Sequence, residues 1–405
     1  MRSNWRAYPL GEITELVIDY RGKTPKKLGG DWSESGYRAL SAKNIKTGHI
    51  VQPDTIRFVS EEMYHKWMKD EIQRGDIIIT SEAPFGQILY WDSEEKIVLS
   101  QRLFGVRVKE EHDSKFVYYY MTTSDFQGEM DGRATGTTVV GLRQPELMKC
   151  VVRCPDLDTQ KKIASILSSI DEKILINDKI NENLEQQVQT LFADWLSANS
   201  ESATEIALGN ICTKVTDGSH FSPKDDSTSS IPMLSVKDMR EFDFDLTSCK
   251  HICEDDYEKM IANDCVPQVN DILVAKDGSY LKEIFICNEK RKLAILSSIA
   301  IFRPNTTVIH PEILLAFLKS PRVLQEVRDN YVSGSALPRI VLKDFKKLTF
   351  SLPDMDAQNL IAPLFASIRE QIAVNVAENK YMTQLRDTLL PKLMSGELNV
   401  DNIHF

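Results

Sequence analysis

The first chemistry that the residue types suggest is that of a metal-dependent nuclease. Pro155-Asp156 followed by Asp171-Glu172-Lys173 has the order of a PD…D/E-x-K pattern, in which two carboxylates hold Mg²⁺ beside a lysine. Those enzymes keep the second carboxylate on a strand near the first, whereas a helical apolar pattern here separates Asp156 from Asp171 by about four turns. A second copy of the stretch reads Arg369-Glu370-Gln371. We therefore expect no nuclease site.

Three further chemistries are disfavoured. A zinc site could be formed by Cys249, His251, Cys253 and Cys265, since alternate positions of a strand lie on one face. No matching cluster exists in the first half of the chain. Seven cysteines without a Cys-x-x-Cys pair fit free thiols in a reducing cytoplasm. Neither a Gly-x-x-x-x-Gly-Lys-Ser/Thr loop nor a Pro-Pro dipeptide occurs, which argues against a nucleotide motor and against an adenine amino-methyltransferase site. We expect no catalytic residue, metal or cofactor.

Basic and small polar side chains at turns are the remaining candidates, because they can contact phosphates. They are Arg21, Lys23, Lys26, Lys27, Lys43, Arg133 and Thr137 in the first half, and Ser219, His220, Lys224, Lys237, Ser335 and Arg339 in the second. Each has a structural alternative, which is a solvated loop, a plain turn or, for Lys43 and Lys237, the end of a strand. Direct base readers would be Arg, Lys, Asn or Gln; Gln101 and Arg102 are no more than guesses.

Length and charge set the scale of the elements that must position these residues. A chain of 405 residues is long enough for two domains with full cores. Its net charge of −10 is uneven: residues 1–154 are neutral, 155–200 carry −4, 201–352 carry −3 and 353–405 carry −3. No run of 18 apolar residues and no apolar N-terminal segment is present, so we expect a cytoplasmic protein without membrane contact.

An internal repeat determines the predicted architecture. Residues 155–195 align without gaps with residues 353–393, and 15 of these 41 positions are identical. Weaker similarities precede them, such as Leu40-Ser41-Ala42-Lys43-Asn44 with Leu234-Ser235-Val236-Lys237-Asp238. The chain therefore consists of two copies of one plan, a variable module followed by a helix.

Both copies of the repeat have an apolar seam at helical spacing. Its residues are Ile163, Ile170, Ile174, Leu184 and Leu191 in the first copy and Ile361, Ile368, Ile372 and Leu389 in the second. Asn177 and Asn375 occupy the same seam position, either as register-setting polar residues or as incidental solvated ones. We expect Asp158 and Asp356 to cap the helices, and Pro363 and Pro391 to kink or end the second one.

The variable modules combine short strands with a few helices, so the predicted fold class is α+β. The strand-like stretches are Ile77–Thr80, Val98–Leu99, Val106–Val108 and Ile272–Val274, and the helix-like ones are Lys115–Thr122 and Pro311–Leu318. We predict four segments: modules at 1–154 and 201–352, and helical regions at 155–200 and 353–405.

Several motifs resemble those of type I restriction-modification specificity subunits (the HsdS family). Asp217-Gly218-Ser219-His220-Phe221-Ser222-Pro223 is similar to the family's DGTHxxP turn. Residues 136–143 and 333–340 resemble its paired GT-x-x-x-x-L segments, and residues 155–174 resemble its PPLxEQKxIAxxLxxxDxxI helix start. The first module has Tyr20-Arg21-Gly22-Lys23-Thr24-Pro25 in place of the DGTH turn. The likeness covers nearly the whole chain, twice and in the same order.

This resemblance implies two target-recognition domains, each reading one half of a split double-stranded DNA site. It also implies that the two helices pack as an antiparallel coiled coil and dock two methyltransferase subunits, which restriction/translocase subunits join. The chain itself would be a non-catalytic subunit of a system for DNA methylation and phage defence. The alternative from another class is a protein-interaction scaffold, which would show no salt-dependent affinity for DNA.

Overall fold

The apolar runs of the chain form two separate sets of cores. The computed structural model describes residues 5–136, 139–278, 281–333 and 339–400. The chain divides into two compact units: unit 1 consists of residues 1–174 and 380–405, and unit 2 of residues 175–379. Each unit contains one globular module, which we call the first module (residues 5–154) and the second module (residues 204–352).

The first module mixes short strands with short helices, in agreement with the predicted α+β class. Its strands are β1 (Arg6–Pro9), β2 (Thr14–Ile18), β3 (Tyr37–Leu40), β4 (Ile45–Lys46), β5 (His49–Ile50), β6 (Arg57–Val59), β7 (Ile77–Thr80), β8 (Ile88–Tyr90), β9 (Val98–Leu99), β10 (Leu103–Val108) and β11 (Val151–Cys154). Its helices are α1 (Leu10–Ile13), α2 (Glu61–Trp67), α3 (Ser114–Met121), α4 (Ser124–Arg133) and α5 (Gln144–Leu147).

The central sheet of the first module has the strand order β2-β10-β7-β8, and all of its neighbouring strands are antiparallel. All four residues of β7 are buried. Such runs of buried β-branched residues are typical of strands covered on both faces. A three-stranded sheet, β6-β3-β9, lies in the same module, with β3 and β9 parallel.

The second module repeats this plan. Its strands are β12 (Thr204–Ala207), β13 (Cys212–Asp217), β14 (Ile231–Leu234), β15 (Lys250–Ile252), β16 (Ile272–Ala275), β17 (Ile284–Ile286), β18 (Ala294–Ile295), β19 (Ile299–Pro304), β20 (Val332–Ser333), β21 (Arg339–Ile340) and β22 (Thr349–Leu352). Its helices are α7 (Leu208–Ile211), α8 (Glu254–Ala262), α9 (Pro311–Leu318), α10 (Pro321–Asn330) and α11 (Leu342–Phe345). A long helix follows each module in the chain: α6 (Leu157–Ala198) follows the first module and α12 (Met355–Met394) follows the second.

Sheet register makes the two modules comparable residue by residue. The order β13-β19-β16-β17 matches β2-β10-β7-β8. Leu103 pairs with Thr80 in the first module as Ile299 pairs with Ala275 in the second. Each pairing is followed by an equivalent bond, from Ser81 N to the Arg102 carbonyl (2.8 Å) and from Lys276 N to the Ser298 carbonyl (2.9 Å). Arg102 therefore corresponds to Ser298.

The same framework ion pair is found in both modules. Asp76 accepts two bonds from Arg107, at 2.9 and 2.8 Å, and Asp271 accepts two from Arg303, at 2.8 and 2.9 Å. Both carboxylates are buried. Bidentate geometry is the arrangement in which a buried arginine–carboxylate pair is best satisfied. The two modules are thus copies in their core as well as in strand order.

The long helices begin two residues earlier than we predicted. The Asp156 carboxylate accepts the Thr159 backbone N–H at 3.0 Å, and Asp354 accepts that of Ala357 at 2.9 Å. Asp156 and Asp354 are therefore the N-caps, and the prediction of Asp158 and Asp356 was wrong. The Thr159 N–H also holds the pKa of Asp156 below its ordinary value.

Pro363 does not end α12, which was one of the two effects that we predicted for it, a kink or an end. The helix runs from Met355 to Met394 and ends three residues after Pro391. Pro363 is exposed, while the adjacent Ala362 and the following Phe365 are buried in the core of unit 2. The carbonyl that loses its N–H partner belongs to Asn359, which is exposed, and apolar packing of Ala362 and Phe365 keeps the chain helical.

Each unit contains the beginning of one long helix and the end of the other. Ile163 and Ile170 are buried in unit 1, and Ile372 is buried in unit 2. Of the other predicted seam residues, Ile174, Leu184, Leu191, Ile361, Ile368 and Leu389 are partly buried. In unit 2, Asn177 donates to Asn379 at 2.9 Å and Asn375 donates to Asn181 at 2.7 Å, so there the two helices run in opposite directions.

One helix of the described residues is long and apolar enough to cross a membrane by length and composition alone. It is α12, whose most apolar 18-residue stretch has a mean hydropathy of 1.2 and is 22% buried. Core helices of soluble proteins satisfy the same criterion. A single helix of this kind is weak support for a membrane span.

Candidate nucleic-acid interface

The loop after β2 contains four of the predicted basic residues, and most of them have partners within the module. Asp19 accepts from the Arg21 guanidinium at 2.8 Å. Lys23 donates to the Trp67 carbonyl at 2.9 Å, and Lys27 to the Gly22 carbonyl at 2.7 Å. Lys26 is exposed. These contacts fix the loop, and the cationic groups remain partly solvent-accessible.

Two adjoining cavities open beside this loop. The larger has a volume of about 470 Å³ and the smaller about 210 Å³. Thr24, Gln101 and Arg102 belong to the walls of both. The basic residues that line one or both are Arg21, Lys23, Lys27, Lys43, Arg57, Arg102 and Arg143. Among the described residues, one acidic side chain, Glu82, lines the larger cavity. We refer to this surface as the first-module groove.

This excess of cations suits a polyanion, because each phosphate neutralised by Lys or Arg releases a counterion. The structure brings together Arg21, Lys23, Lys27 and Lys43 from the predicted set. Two arginines that we did not predict, Arg57 and Arg143, also line the groove. The Arg57 guanidinium lies 4.0 Å from the centre of the Trp32 ring. No pattern in the sequence distinguishes these two from other arginines.

Arg102 has an unusual backbone in this groove. Its φ is 66°, in the left-handed region that residues other than Gly, Asn and Asp seldom occupy, because it costs an L residue roughly 1–2 kcal/mol. Ala83, next to Glu82, also has a positive φ of 43°. The Arg102 Nε lies 2.9 Å from a carboxylate oxygen of Glu82. Strain of this kind accumulates at functional sites.

The repeated Leu-Ser-x-Lys stretch has a structural explanation. Ser41 and Asn44 form a reciprocal cap around a short turn, and Ser235 and Asp238 form the same cap in the second module. Asn44 and Asp238 are buried, whereas Lys43 and Lys237 are exposed. The turn thus accounts for the recurring polar residues, and Lys43 lies in the groove wall.

The corresponding loop of the second module is organised around Asp217. Lys276 donates to Asp217 at 2.7 Å, and the exposed His220 ring lies 3.2 Å from the same carboxylate. Ser219 is buried and bonds to the Phe221 backbone through both its hydroxyl donor and its oxygen acceptor. Ser219 is therefore a turn residue here, while Lys224 and Lys237 are exposed.

The small-residue segments are described only in part. Thr137 and Ser335 lie outside the described residues. Arg133 pairs with Glu129 at 3.2 Å and is not in the groove wall. Arg339 is exposed, and its backbone bridges to Asp277 as that of Gly141 bridges to Glu82. Arg339 thus occupies the position of Gly141.

The nuclease-like residues have other roles. Asp156 caps α6, and Asp171 accepts from the Tyr119 hydroxyl at 2.6 Å and from Arg386 at 2.9 Å. Cys249, Cys253 and Cys265 each donate to a different oxygen. In the part of the chain that the structure describes, no three His, Cys, Asp or Glu residues form a group that could hold a metal ion.

The structure defines the chain as a duplicated α+β protein, in which each module has exposed basic residues beside equivalent strand ends. A family profile described as type I restriction modification DNA specificity domain matches residues 2–186 and again residues 201–381. The chain therefore belongs to the type I restriction-modification DNA specificity family. It is a non-catalytic DNA-recognition protein with two target-recognition domains.

Similar proteins support this assignment over most of the chain. The MjaIX specificity subunit of Methanocaldococcus jannaschii is 24% identical over 360 residues, covering 82% of this chain and 79% of the relative. The HindI specificity subunit of Haemophilus influenzae is 21% identical over 415 residues, covering 82% and 88%. The crystal structure of a type I S subunit from M. genitalium has the same fold, with a TM-score of 0.53, 16% identity and 96% of each chain covered.

Proposed function

We propose that this chain reads a split, asymmetric site in double-stranded DNA, with one half-site for each module. One observation carries the proposal: the two modules share a framework and differ at the exposed edge. Asp76–Arg107 and Asp271–Arg303 are equivalent buried pairs. At the edge, Arg102 corresponds to Ser298, and Gly141 to Arg339. A constant framework with a varied edge is what two readers of different sequences require.

Phosphate contacts would orient each module on the duplex. In the first-module groove we assign them to Lys27, Lys43 and Arg143, and in the second module to Lys224 and Lys237. Such contacts set affinity and salt dependence without selecting a sequence. Two linked modules also raise each other's effective concentration at adjacent half-sites.

The two long helices would serve assembly. We propose that α6 and α12 form an antiparallel coiled coil that docks two methyltransferase subunits, with restriction/translocase subunits joining in the cytoplasm. Several apolar side chains on the helices in unit 2 are exposed: Leu175, Ile176, Ile180, Leu360, Leu364 and Val374. Exposed apolar residues along a helix are suited to a protein partner. The net negative charge of residues 155–200 and 353–405 also makes these segments less suited to DNA than to protein.

Mapping of N6-methyladenine in the source genome tests the proposal. We expect two short motifs at a fixed separation, both lost when the gene for this chain is deleted. Methylation at an uninterrupted site, or an unchanged map after deletion, would contradict it.

A salt titration distinguishes a DNA reader from a protein scaffold. With purified complex and the mapped duplex, the logarithm of the binding constant should fall linearly with the logarithm of salt concentration, by about 0.9 per phosphate neutralised. Lys43→Ala should reduce that slope by about one contact. A binding constant that does not depend on salt would favour the scaffold.

A further inference from the structure

We infer that Arg102, oriented by Glu82, reads a guanine in the half-site of the first module. This inference rests on the proposed function, because it assigns one base contact within the half-site that the module is proposed to read. The ligand is a G·C base pair presented in the major groove. Guanine offers two acceptors there, O6 and N7, which match two nitrogens of a guanidinium.

The hydrogen-bonding groups of Arg102 are arranged for such a contact. Its Nε lies 2.9 Å from Oε1 of Glu82, so the two side chains form an ion pair at one end of the guanidinium. Its two terminal nitrogens have no hydrogen-bond or ion-pair partner among the described residues. The Arg102 side chain is 46% exposed and the Glu82 side chain 37%. Two free N–H groups on a held guanidinium are what a bidentate contact to guanine uses.

The carboxylate beside Arg102 favours a base over a phosphate as the ligand. A phosphate brought to this point would meet the negative charge of Glu82, and like charges at close range repel. A base pair brings no net charge, and the amino group of the cytosine opposite guanine is a donor that a glutamate can accept. Lys43 and Arg143, by contrast, line the groove without an acidic partner among the described residues, so their charge is available to a phosphate.

Comparison of the modules supports a role in specificity. Ser298 occupies the place of Arg102 in the second module, and Asp277 the place of Glu82. The arginine of that module's edge, Arg339, is instead at the position of Gly141. A residue needed for the fold would be expected in both copies, as the Asp76–Arg107 pair is. The left-handed backbone at Arg102 therefore serves a residue that only one copy has.

The test uses this chain in complex with its methyltransferase subunits, expressed in a host without adenine methylation of its own. The variants are Arg102→Ser, which installs the residue of the second module, and Glu82→Gln, which removes the orienting charge. Arg74→Ser is the matched control, because its Nε lies 2.6 Å from Asp92, it is also exposed, and it does not line the groove. Methylated motifs are mapped for each complex. Dissociation constants are measured by fluorescence anisotropy on the mapped duplex and on duplexes with each G·C pair replaced.

In Arg102→Ser we expect the requirement for G·C to be lost at one position of one half-site, with the other half-site and the spacer unchanged. The preference for G·C at that position, about 5- to 150-fold in the wild type, should approach one. Glu82→Gln should reduce the same ratio, and Arg74→Ser should leave it unchanged. Because the ratio is measured within one variant, a general loss of stability does not imitate this result.

Three outcomes would overturn the inference and leave the proposed function intact. They are a wild-type motif without G·C in either half-site, an unchanged motif in Arg102→Ser, and an equal weakening of all duplexes by that variant, which indicates a phosphate contact. If Arg102→Ser abolishes methylation, the anisotropy ratios decide between these cases. A wild-type complex that methylates no split site would instead reject the proposed function itself.

Discussion

Asp19 and Asp217 hold equivalent positions at the ends of β2 and β13, yet different cations neutralise them. Asp19 pairs with Arg21 two residues along its own loop, whereas Asp217 pairs with Lys276 at the end of β16. The carboxylate is common to both modules, and the source of positive charge is free to vary. The two loops can therefore change sequence without losing the contact that holds them.

The sequence predicted the first-module groove only in part, because some of its contacts join loops that are distant in sequence. Basic residues at turns identified Arg21, Lys23, Lys27 and Lys43, because charge density is visible in a sequence. The pairing of Arg102 with Glu82 depends on two loops 20 residues apart and on a left-handed backbone. Neither of these is visible in residue order.

The buried framework pairs should contribute strongly to stability. Asp271 is fully buried and accepts two bonds from Arg303. We expect Asp271→Ala to lower the free energy of unfolding of unit 2 by about 3 kcal/mol, because the Arg303 guanidinium loses its buried bidentate partner and keeps only the longer contact to Asp264 at 3.3 Å. Hydrogen exchange of peptides from β16 and β19 in increasing urea would measure this. The exposed pair of Lys292 and Glu254 provides the control, and Lys292→Ala should change the value by about 1 kcal/mol or less. Equal effects of the two substitutions would contradict the assignment.

Two buried thiols should make stability depend on alkaline pH. Burial raises the pKa of Cys154 and that of Cys212 from the ordinary 9.0 to about 12. Between these values the unfolded chain loses thiol protons that the folded chain keeps, so the stabilisation is complete below pH 9 and is lost as the pH rises towards 12. Urea midpoints from pH 8 to 10.5 should fall more steeply for the wild type than for the double variant Cys154→Ala, Cys212→Ala. Parallel curves would contradict this prediction.

At the scale of the element, a repeated glutamine joins each long helix to its module. Gln160 accepts the Asp113 N–H at 3.0 Å and donates to the Pro155 carbonyl at 2.8 Å. Gln358 accepts the His310 N–H at 3.1 Å and donates to the Pro353 carbonyl at 2.9 Å. Both side chains are buried. This role explains why the glutamine is identical in the two copies.

Removal of one such glutamine should be costly. Gln160→Leu leaves the Asp113 N–H and the Pro155 carbonyl buried without partners, so we expect a loss of about 1–3 kcal/mol in the stability of unit 1. Tryptophan fluorescence in urea reports it, since four of the five tryptophans, Trp5, Trp32, Trp67 and Trp91, are in unit 1. The exposed Gln187 is the control, and Gln187→Leu should have an effect within about 0.5 kcal/mol.

Elements were more predictable than their ends. The 3.6-residue periodicity and the ungapped repeat identified both long helices, and the predicted stretches Ile77–Thr80 and Pro311–Leu318 match β7 and α9 as described. The caps were misplaced because Asp156 and Asp158 are the same residue type two positions apart. Only the hydrogen bond of Asp156 to Thr159 N distinguishes them.

At the scale of the whole molecule, helix length should set the separation of the half-sites. A helix of 42 residues spans about 63 Å at 1.5 Å per residue, and half-sites one DNA turn apart are about 34–36 Å apart. We expect deletion of residues 178–181 together with 376–379 to change the preferred spacer and leave both half-site sequences unchanged. This paired deletion keeps one seam asparagine in each helix, Asn177 and Asn375. Methylation mapping that showed the original spacer with altered half-sites would contradict the prediction.

The composition of unit 1 has a consequence for synthesis on the ribosome. Its core includes Leu393 and Met394 from the end of α12, and Val400 beyond it, together with Leu10 and Ile13 from the start of the chain. The module that is translated earlier therefore needs residues 380–400 before its core is complete, while unit 2 has all of its residues by position 379. A chain that stops between residue 379 and the end of α12 would contain all of unit 2 but only part of unit 1. We expect proteases to cut such incomplete products in their N-terminal module, because its core is unfinished.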